Sequence, residues 1–264
     1  IALASVLGRI CPAPCEKACR RGRYDQPVSI CLLKRLAGDC NLDQVPEKFF
    51  EKTEPTGKRI AVIGAGPAGL SAAFYLSLLG HECIIYDDQE RPGGMLRYGV
   101  DRQILPEEIL DMEIAWLAAS GMVFQQKTNV GKDISFERIR EEFDAVFLAS
   151  GSCDELPFAG IKFSDGKVEI DSQTYMTSMD GVFAGGDLVR QRKLTVRSAA
   201  DGKEAASAID QYVKGEKVTG PFRPYNHRMG ALQEGEMEMF LGQASEVPRV
   251  EPSSSQAGYT IREA

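Results

Sequence analysis

Histidine and tryptophan are scarce in this chain of 264 residues, two and one respectively. His81 falls at a predicted helix–strand turn and His227 near the C-terminus, and neither has catalytic company in the sequence. No apolar run approaches the roughly 18–20 residues that cross a bilayer, so no membrane span is expected. Overall basic character is missing as well. The net charge is -7, which argues against a nucleic-acid partner, because phosphate binding depends on clustered Lys and Arg. A thioredoxin-like Cys-x-x-Cys is absent, so disulfide-reductase chemistry is not expected. The opening "IALASVLGRI" has neither Met nor a basic segment before its apolar stretch. It makes a poor secretory leader and points to a true beginning further upstream.

What is present fits an ordinary globular protein, 43% hydrophobic and 26% charged, long enough for one large domain or two modest ones. Five of its seven cysteines crowd into the first 40 residues: Cys11, Cys15, Cys19, Cys31 and Cys40. An odd total without a leader fits a reducing cytosol, and hence a cytoplasmic location, better than a disulfide scaffold. The same 40 residues carry seven basic side chains against three acidic ones, a local excess that suits an acidic partner or a negatively charged group. In "CPAPCEKAC" the thiols of Cys11, Cys15 and Cys19 recur every four residues, and Cys31 follows twelve positions on. Such a set can ligate the irons of a [4Fe–4S] cluster. Tetrahedral zinc and unligated thiols stay open as alternatives. Cys83, inside a predicted strand, is expected to be a buried apolar residue.

Four segments are expected. Residues 1–45 form a helical Cys-rich module, in which "QPVSICLLKRLAG" reads as an amphipathic helix with Ile30, Leu33 and Leu36 on one face. Residues 46–58, with two prolines and no apolar period, read as a linker. Residues 59–219 alternate strands ("RIAVIG", "ECIIYD", "MVFQQK", "DAVFLAS", "GVFAGG") with helices. Those helices are "PAGLSAAFYLSLLG", "PEEILDMEIAWLAASG" with Ile109, Met112, Trp116 and Leu117 inward, and "TVRSAADGKEAASAIDQYV". That order predicts an α/β fold, a parallel sheet with helices on both faces. Residues 220–264 form a tail expected to wrap a partner or to be partly disordered.

The stretch "GAGPAG" sets Gly64, Gly66 and Gly69 in G-x-G-x-x-G spacing between a strand and a helix. Gly64 permits the tight turn, Gly66 lets the backbone approach a diphosphate, and Gly69 lets helix and strand pack closely. The diphosphate belongs on the helix N-terminus. Asp87 ends the second strand, 23 residues after Gly64, where a carboxylate can accept from ribose hydroxyls. A nicotinamide dinucleotide bound directly, or a Gly-rich turn without a ligand, is the competing reading. FAD is favoured by two further stretches. "RPGGMLRYGV" brings Gly93 and Gly94 after the second strand, and "GVFAGGD" places Asp187 before a helix beginning near Thr195. In that layout Asp187 reaches the ribityl chain and the helix N-terminus stabilises charge on the reduced ring.

Together, "GRICPAPCEKAC", "VSICLLKR", "AVIGAGPAGLSAA", "RPGGMLRYGV", Leu105–Pro106, "DAVFLASG" and "GVFAGGD" resemble the small subunit of glutamate synthase and its relatives. Among those relatives are the flavin part of dihydropyrimidine dehydrogenase and the large subunit of NADH:ferredoxin:NADP transhydrogenase. The resemblance covers residues 8 to about 213. It implies a Rossmann-like FAD domain in which Gly64, Gly66, Pro67, Ala68, Gly69, Asp87, Gly94, Met95 and Leu96 hold the cofactor. Arg102, Val130, Ala149, Gly151, Gly186, Asp187 and Val196 are implied as further contacts. It also implies [4Fe–4S] ligation through Cys11, Cys15, Cys19 and Cys31, shared between two clusters if two are present. The chain departs from the pattern at Leu7, where relatives have Cys, at Lys34, where one relative has a Gln ligand, and at Asp101, where Pro is usual.

One expected part is missing. In relatives, a second Rossmann domain that binds NAD(P)H follows the strand ending in Gly, yet only residues 152–180 separate "LASG" from "GVFAGGD" here. No βαβ unit with a phosphate turn fits that space, so NAD(P)H is reached only through an absent domain or a partner. Two explanations stay open: a relay that has lost the domain, and an NAD(P)H-oxidising small subunit seen in part. The function expected is an FAD and iron–sulfur electron-transfer subunit working with other redox subunits, including a ferredoxin-like protein. A non-redox assembly subunit with structural FAD or zinc is the rival from another class.

Overall fold

The computed structural model describes residues 1–42, 50, 51, 53–151, 158–190, 194–222, 230, 233–241 and 258–260. Helices α1 (Ala4–Ile10), α2 (Pro14–Lys17) and α3 (Ile30–Leu42) come first. Strand β1 (Arg59–Ile63), helix α4 (Pro67–Leu78) and strand β2 (Glu82–Tyr86) then make the first βαβ unit. It is followed by α5 (Met95–Tyr98), α6 (Glu107–Ala118), β3 (Val123–Gln125), α7 (Phe136–Glu142) and β4 (Ala145–Leu148). A hairpin of β5 (Phe163–Ser164) and β6 (Lys167–Val168) leads to β7 (Val182–Ala184), α8 (Thr195–Val213) and α9 (Glu236–Leu241). Among the described residues no helix is long and apolar enough to cross a membrane.

Five strands form one parallel sheet in the order β3-β2-β1-β4-β7. Side chains alternate between its faces with period two. Ile60, Val62, Cys83, Ile85, Phe147 and Phe183 share one core with α4, α6 and α8, and Cys83 is fully buried. Ala61, Ile63, Tyr86, Val146, Leu148 and Val182 share the other with Phe136, Ile139 and Phe143 of the α7 region and with Phe158, Ile161 and Val168. Both faces are therefore covered, which is why these strands read as continuous apolar runs. Successive strands step outward from β1 in opposite directions, so a crevice opens past the carboxyl ends of β1, β2 and β4.

The structure departs from the sequence reading in four places. On α3 the buried positions are Cys31 and Gly38, while Ile30 and Leu33 are each 37% exposed, so the inward face is not the Ile30–Leu33–Leu36 face. On α6 the buried residues are Leu110, Glu113, Ile114 and Leu117, and Met112 is exposed. Ile109, Trp116 and Leu117 pack on the core as expected, while the carboxylate of Glu113 takes an inward position and Met112 turns outward. Phe50, in the segment read as linker, meets Phe74 and Trp116 edge-on at 5.4 and 4.7 Å between ring centroids; residues 46–49 and 52 lie outside the described residues. Among the described residues of the tail, two meet the N-terminal module: Glu236 pairs with Arg20, and Tyr259 donates to Ser29 Oγ at 3.1 Å.

The N-terminal residues belong to the same core as the sheet. Ala2, Leu3, Val6 and Leu7 are buried with the α4, α6 and α8 side chains. Close approach of α1 and α3 requires glycine twice: a Cβ on Gly8 would lie 2.5 Å from Arg35 Cα, and one on Gly38 would lie 2.4 Å from Ser5 N. Both obstacles are backbone and cannot rotate away. Gly38→Ala is therefore expected to cost about 1–3 kcal/mol. At roughly 2–4 °C per kcal/mol for a chain of this size, a thermal melt reads that loss directly. An unchanged melting midpoint would mean that α3 shifts freely on α1.

Candidate functional site

The crevice contains a cavity of about 690 Å³, within the range usual for ligand pockets. Its floor is the turn from β1 into α4. Gly64 sits at φ 108°, and a Cβ there would stand 2.4 Å from Ala149 O. Gly64 N donates to Tyr86 O at 2.7 Å, which fixes the turn to β2. A Cβ on Gly66 would meet nothing within 4 Å, so its backbone is bare toward the cavity. Gly69 lies behind that surface, where a Cβ would be 1.9 Å from Gly64 O. Helix α4 has no side-chain cap, and Pro67 stands at its start. The N–H groups of its first turn are thus left for a ligand, with the positive end of the helix dipole behind them. This is a cradle for a dinucleotide diphosphate.

Asp87 closes one end. Its Oδ2 accepts from Ala65 N at 2.6 Å and its Oδ1 from Gln89 N at 2.9 Å. Burial pushes its carboxyl above the usual range, against the pull of these two N–H groups. Gly94 closes the side: at φ 52°, it would carry a Cβ only 2.9 Å from Gly66 Cα. The loop before it is held by Arg97, 4% exposed, whose Nε donates to Pro92 O at 2.7 Å and whose Nη1 reaches Glu107 at 2.8 Å. Arg97 and Arg91 share the carboxylates of Glu107 and Asp111. At the far end Ser198 donates to Asp187 Oδ1 at 3.0 Å, and α8 begins beside it without a side-chain cap.

Thirteen of the sixteen residues named for cofactor binding line this one cavity: Gly64, Gly66, Pro67, Ala68, Asp87, Gly94, Met95, Leu96, Val130, Ala149, Gly151, Gly186 and Asp187. The other three do not. Gly69 faces β1, Arg102 donates to Leu96 O at 3.4 Å behind the wall, and Val196 packs on the core. Thr195 and Ser198 line the cavity instead of Val196, because a helix presents residues three apart on one side. Thr128, Asn129 and Tyr98 also line it and were not picked out from the sequence. Their signal is positional, since Thr128 and Asn129 follow the carboxyl end of β3.

The cysteines stand apart from this cavity. Cys11 caps α1, Cys15 lies exposed on α2, Cys19 precedes a 3-10 turn at Arg20–Arg23, and Cys31 is buried in the first turn of α3. Burial pushes the Cys31 thiol up to about 11, and the nearby Cys11 thiol adds to the rise. A backbone hydrogen bond from Val28 leads the influences that hold Cys19 below its ordinary value. Glu16 Oε1 accepts from Cys31 N at 2.7 Å and ties α2 to α3. Among the described residues no three Cys, His, Asp or Glu side chains gather as around a metal. Of the four thiols, only Cys11 influences another, Cys31, strongly enough to shift its titration. Between Phe158 and Gly181 the described residues form turns, isolated bridges and the short β5–β6 pair, with no βαβ unit.

Residues 62–127 match the NAD(P)-binding Rossmann-like domain family. The chain is 36% identical over 189 residues to the NADPH-Fe(3+) oxidoreductase subunit beta of Geobacter sulfurreducens, covering 68% of this chain and 28% of that protein. It is 40% identical over 171 residues to the NADP(+)-dependent formate dehydrogenase subunit beta of Moorella thermoacetica, covering 57% and 24%. It is 39% identical over 155 residues to the glutamate synthase [NADPH] small chain of Mycobacterium tuberculosis, covering 58% and 32%. The chain thus spans about a third or less of the length of these relatives.

Proposed function

We infer that this chain, a relative of the glutamate synthase small chain and of the β subunits of other redox complexes, is the flavin-binding part of an electron-transfer oxidoreductase. One observation carries the reading. The Gly64–Gly69 turn, Asp87, the Gly94–Leu96 segment and Asp187 wall a single cavity at the carboxyl ends of parallel strands. FAD fits that wall: Gly66 and the first turn of α4 hold its diphosphate, Asp87 its ribose, and Gly186 and Asp187 its ribityl end. Met95, Leu96, Val130, Ala149 and Gly151 supply apolar and backbone surface, while Gly69, Arg102 and Val196 support the wall from behind. Bound FAD supplies two-electron acceptance and one-electron release. The protein's part is to position it, keep water off it and balance its charge.

The Cys-rich residues are the exit or entry point for electrons in this reading. Cys11 and Cys31 start the ligand set of a [4Fe–4S] cluster, and Cys15 and Cys19 complete it or serve a second one. As they stand the four do not form a complete set. All described cysteines are free, in keeping with a reducing compartment such as the cytoplasm. The basic excess of residues 1–40 suits docking of an acidic, ferredoxin-like protein or another redox subunit. NAD(P)H enters through a domain or partner outside these residues.

The match of residues 62–127 to an NAD(P)-binding family supports one competing reading, in which the cradle holds a nicotinamide dinucleotide directly. An anaerobic visible spectrum separates the two. A flavin band that dithionite bleaches, and that NADPH alone leaves oxidised in this chain, is expected. Bleaching by NADPH would place a nicotinamide site within these residues, and a purified protein that takes up no flavin would overturn the reading from its first motif.

A further inference from the structure

A buried carboxylate that touches the cavity wall is left unused by this reading. Asp201, on α8, is fully buried but does not line the cavity. An ionised group is buried at great cost unless it is paired and hydrogen-bonded, and Asp201 is both. Arg190 grips it with two prongs, Nε to Oδ2 and Nη2 to Oδ1, both at 2.6 Å. Gly186 N donates to Oδ2 at 3.2 Å. On the other side stands the hydroxyl of Tyr175, 3.2 Å from Oδ1 and 2.7 Å from Glu204 Oε2. Arg197, one turn earlier on α8, approaches Oδ1 at 3.9 Å.

We propose that Asp201, with Arg190 as its fixed counter-charge, is a positioning residue that sets the Gly186–Asp187 wall of the cavity. The proposal rests on the flavin reading above. Helix α8 grips this wall at two points one turn apart, with Ser198 on the Asp187 carboxylate and Asp201 on the Gly186 amide. Between them the turn has no slack. A Cβ on Gly185 would lie 2.9 Å from Phe147 Cζ and 3.2 Å from Asp201 Cβ. Gly186, at φ 71°, would set one 2.9 Å from Ala68 Cβ, on the helix that forms the phosphate cradle. Arg190 lies just beyond the same turn, so its fork on Asp201 closes the segment 186–190 into a loop pinned at both ends.

Tyr175 extends the grip. It is non-glycine at φ 61°, a strained conformation that persists only where its surroundings hold it. Its backbone is held on both sides: Tyr175 N donates to Asp171 O at 2.8 Å, and Ala184 N donates to Tyr175 O at 2.9 Å. A single carboxylate therefore joins the returning segment 171–176, the cavity wall and α8. A shift of any one is passed to Asp187.

The test is FAD binding by the full chain and two variants, Asp201→Asn and Arg190→Gln, with far-UV circular dichroism and flavin-free melting as controls. Both are expected to weaken FAD at least tenfold and to alter the visible circular dichroism of the bound flavin. Arg190→Lys keeps the charge without the two-pronged geometry and is expected to fall between wild type and Arg190→Gln. The Arg190 side chain is partly exposed, 29%, so its variants remain informative if Asp201→Asn does not fold. Variants that melt earlier yet bind FAD with unchanged affinity and an unchanged visible dichroism would reduce Asp201 to a core stabiliser and overturn the positioning role alone. A wild-type chain that takes up no FAD would overturn the flavin reading and the positioning role with it.

Discussion

Replacing Gly69 with alanine is expected to weaken flavin binding on the order of 100-fold and to destabilise the fold together. The added methyl would stand 1.9 Å from Gly64 O and 3.1 Å from Val62 Cγ1. The first obstacle is backbone in the phosphate turn itself, so no rotamer change relieves it. Helix α4 must then lift from β1, and its other side is equally constrained, because a Cβ on Gly202 of α8 would already lie 2.1 Å from Ala68 O. Overpacking at one methyl costs about 1–3 kcal/mol where neighbours can adjust. Here they cannot, and the upper end of that range applies. A cost of about 3 kcal/mol in the cradle corresponds to an affinity lower on the order of 100-fold. The flavin-to-protein ratio after purification and a urea midpoint read the two effects separately. Full flavin content in the alanine variant would show that close packing of α4 on β1 is not needed for the cradle.

The second large effect concerns Glu113 on α6. Its two carboxylate oxygens accept from Ser5 N at 3.0 Å and Val6 N at 2.7 Å, at the start of α1. Burial pushes it up to about 7 from an ordinary 4.5, although those N–H groups and Arg9 pull the other way. Asp39, on α3, adds a repulsive charge. A carboxyl raised in the folded state binds its proton more tightly there than in the unfolded chain. Its contribution is therefore whole below about 4.5 and is lost as pH rises through about 7. The full swing is on the order of 3 kcal/mol. Urea midpoints of the wild type are expected to fall between pH 5 and pH 8, and Glu113→Gln, which keeps an acceptor oxygen without the titration, should flatten that fall. Equal slopes in the two proteins would assign the pH dependence to other groups.

The sheet and its cavity were legible in the sequence for a physical reason. Doubly covered strands must be apolar throughout, and a diphosphate cradle needs glycine where a side chain would block backbone. Helix α8 begins and ends as expected, at Thr195 and Val213, because its small-residue face follows a regular period. On α6 only Met112 was misplaced: Glu113 occupies an inward position, and apolar periodicity cannot anticipate a carboxylate that serves α1. The same tertiary pairing hides α1, since its amides find their partner 107 to 108 residues away. Helix α7, "FERIREE", is too short and too charged to carry a clear stripe. The hairpin had a visible cue in Asp165–Gly166, both at positive φ, a pair favoured in two-residue turns. Arg102 and Val196 came from resemblance alone, and that conveys residue type at a motif position better than it conveys which side of a wall the residue stands on.

The pairing of β4 directly with β7, Val146 to Val182 through Leu148 to Ala184, makes the sheet indifferent to the length of chain between them. Among its described residues that connection supplies no strand to the sheet and pairs with it only through the isolated bridge of Met176 to Phe183. Each doubling of a flexible connection adds only about 0.6 kcal/mol of closure entropy. A longer or shorter excursion at this point would leave the register of the sheet unchanged. The sheet is in this sense a frame that does not depend on the span it holds open.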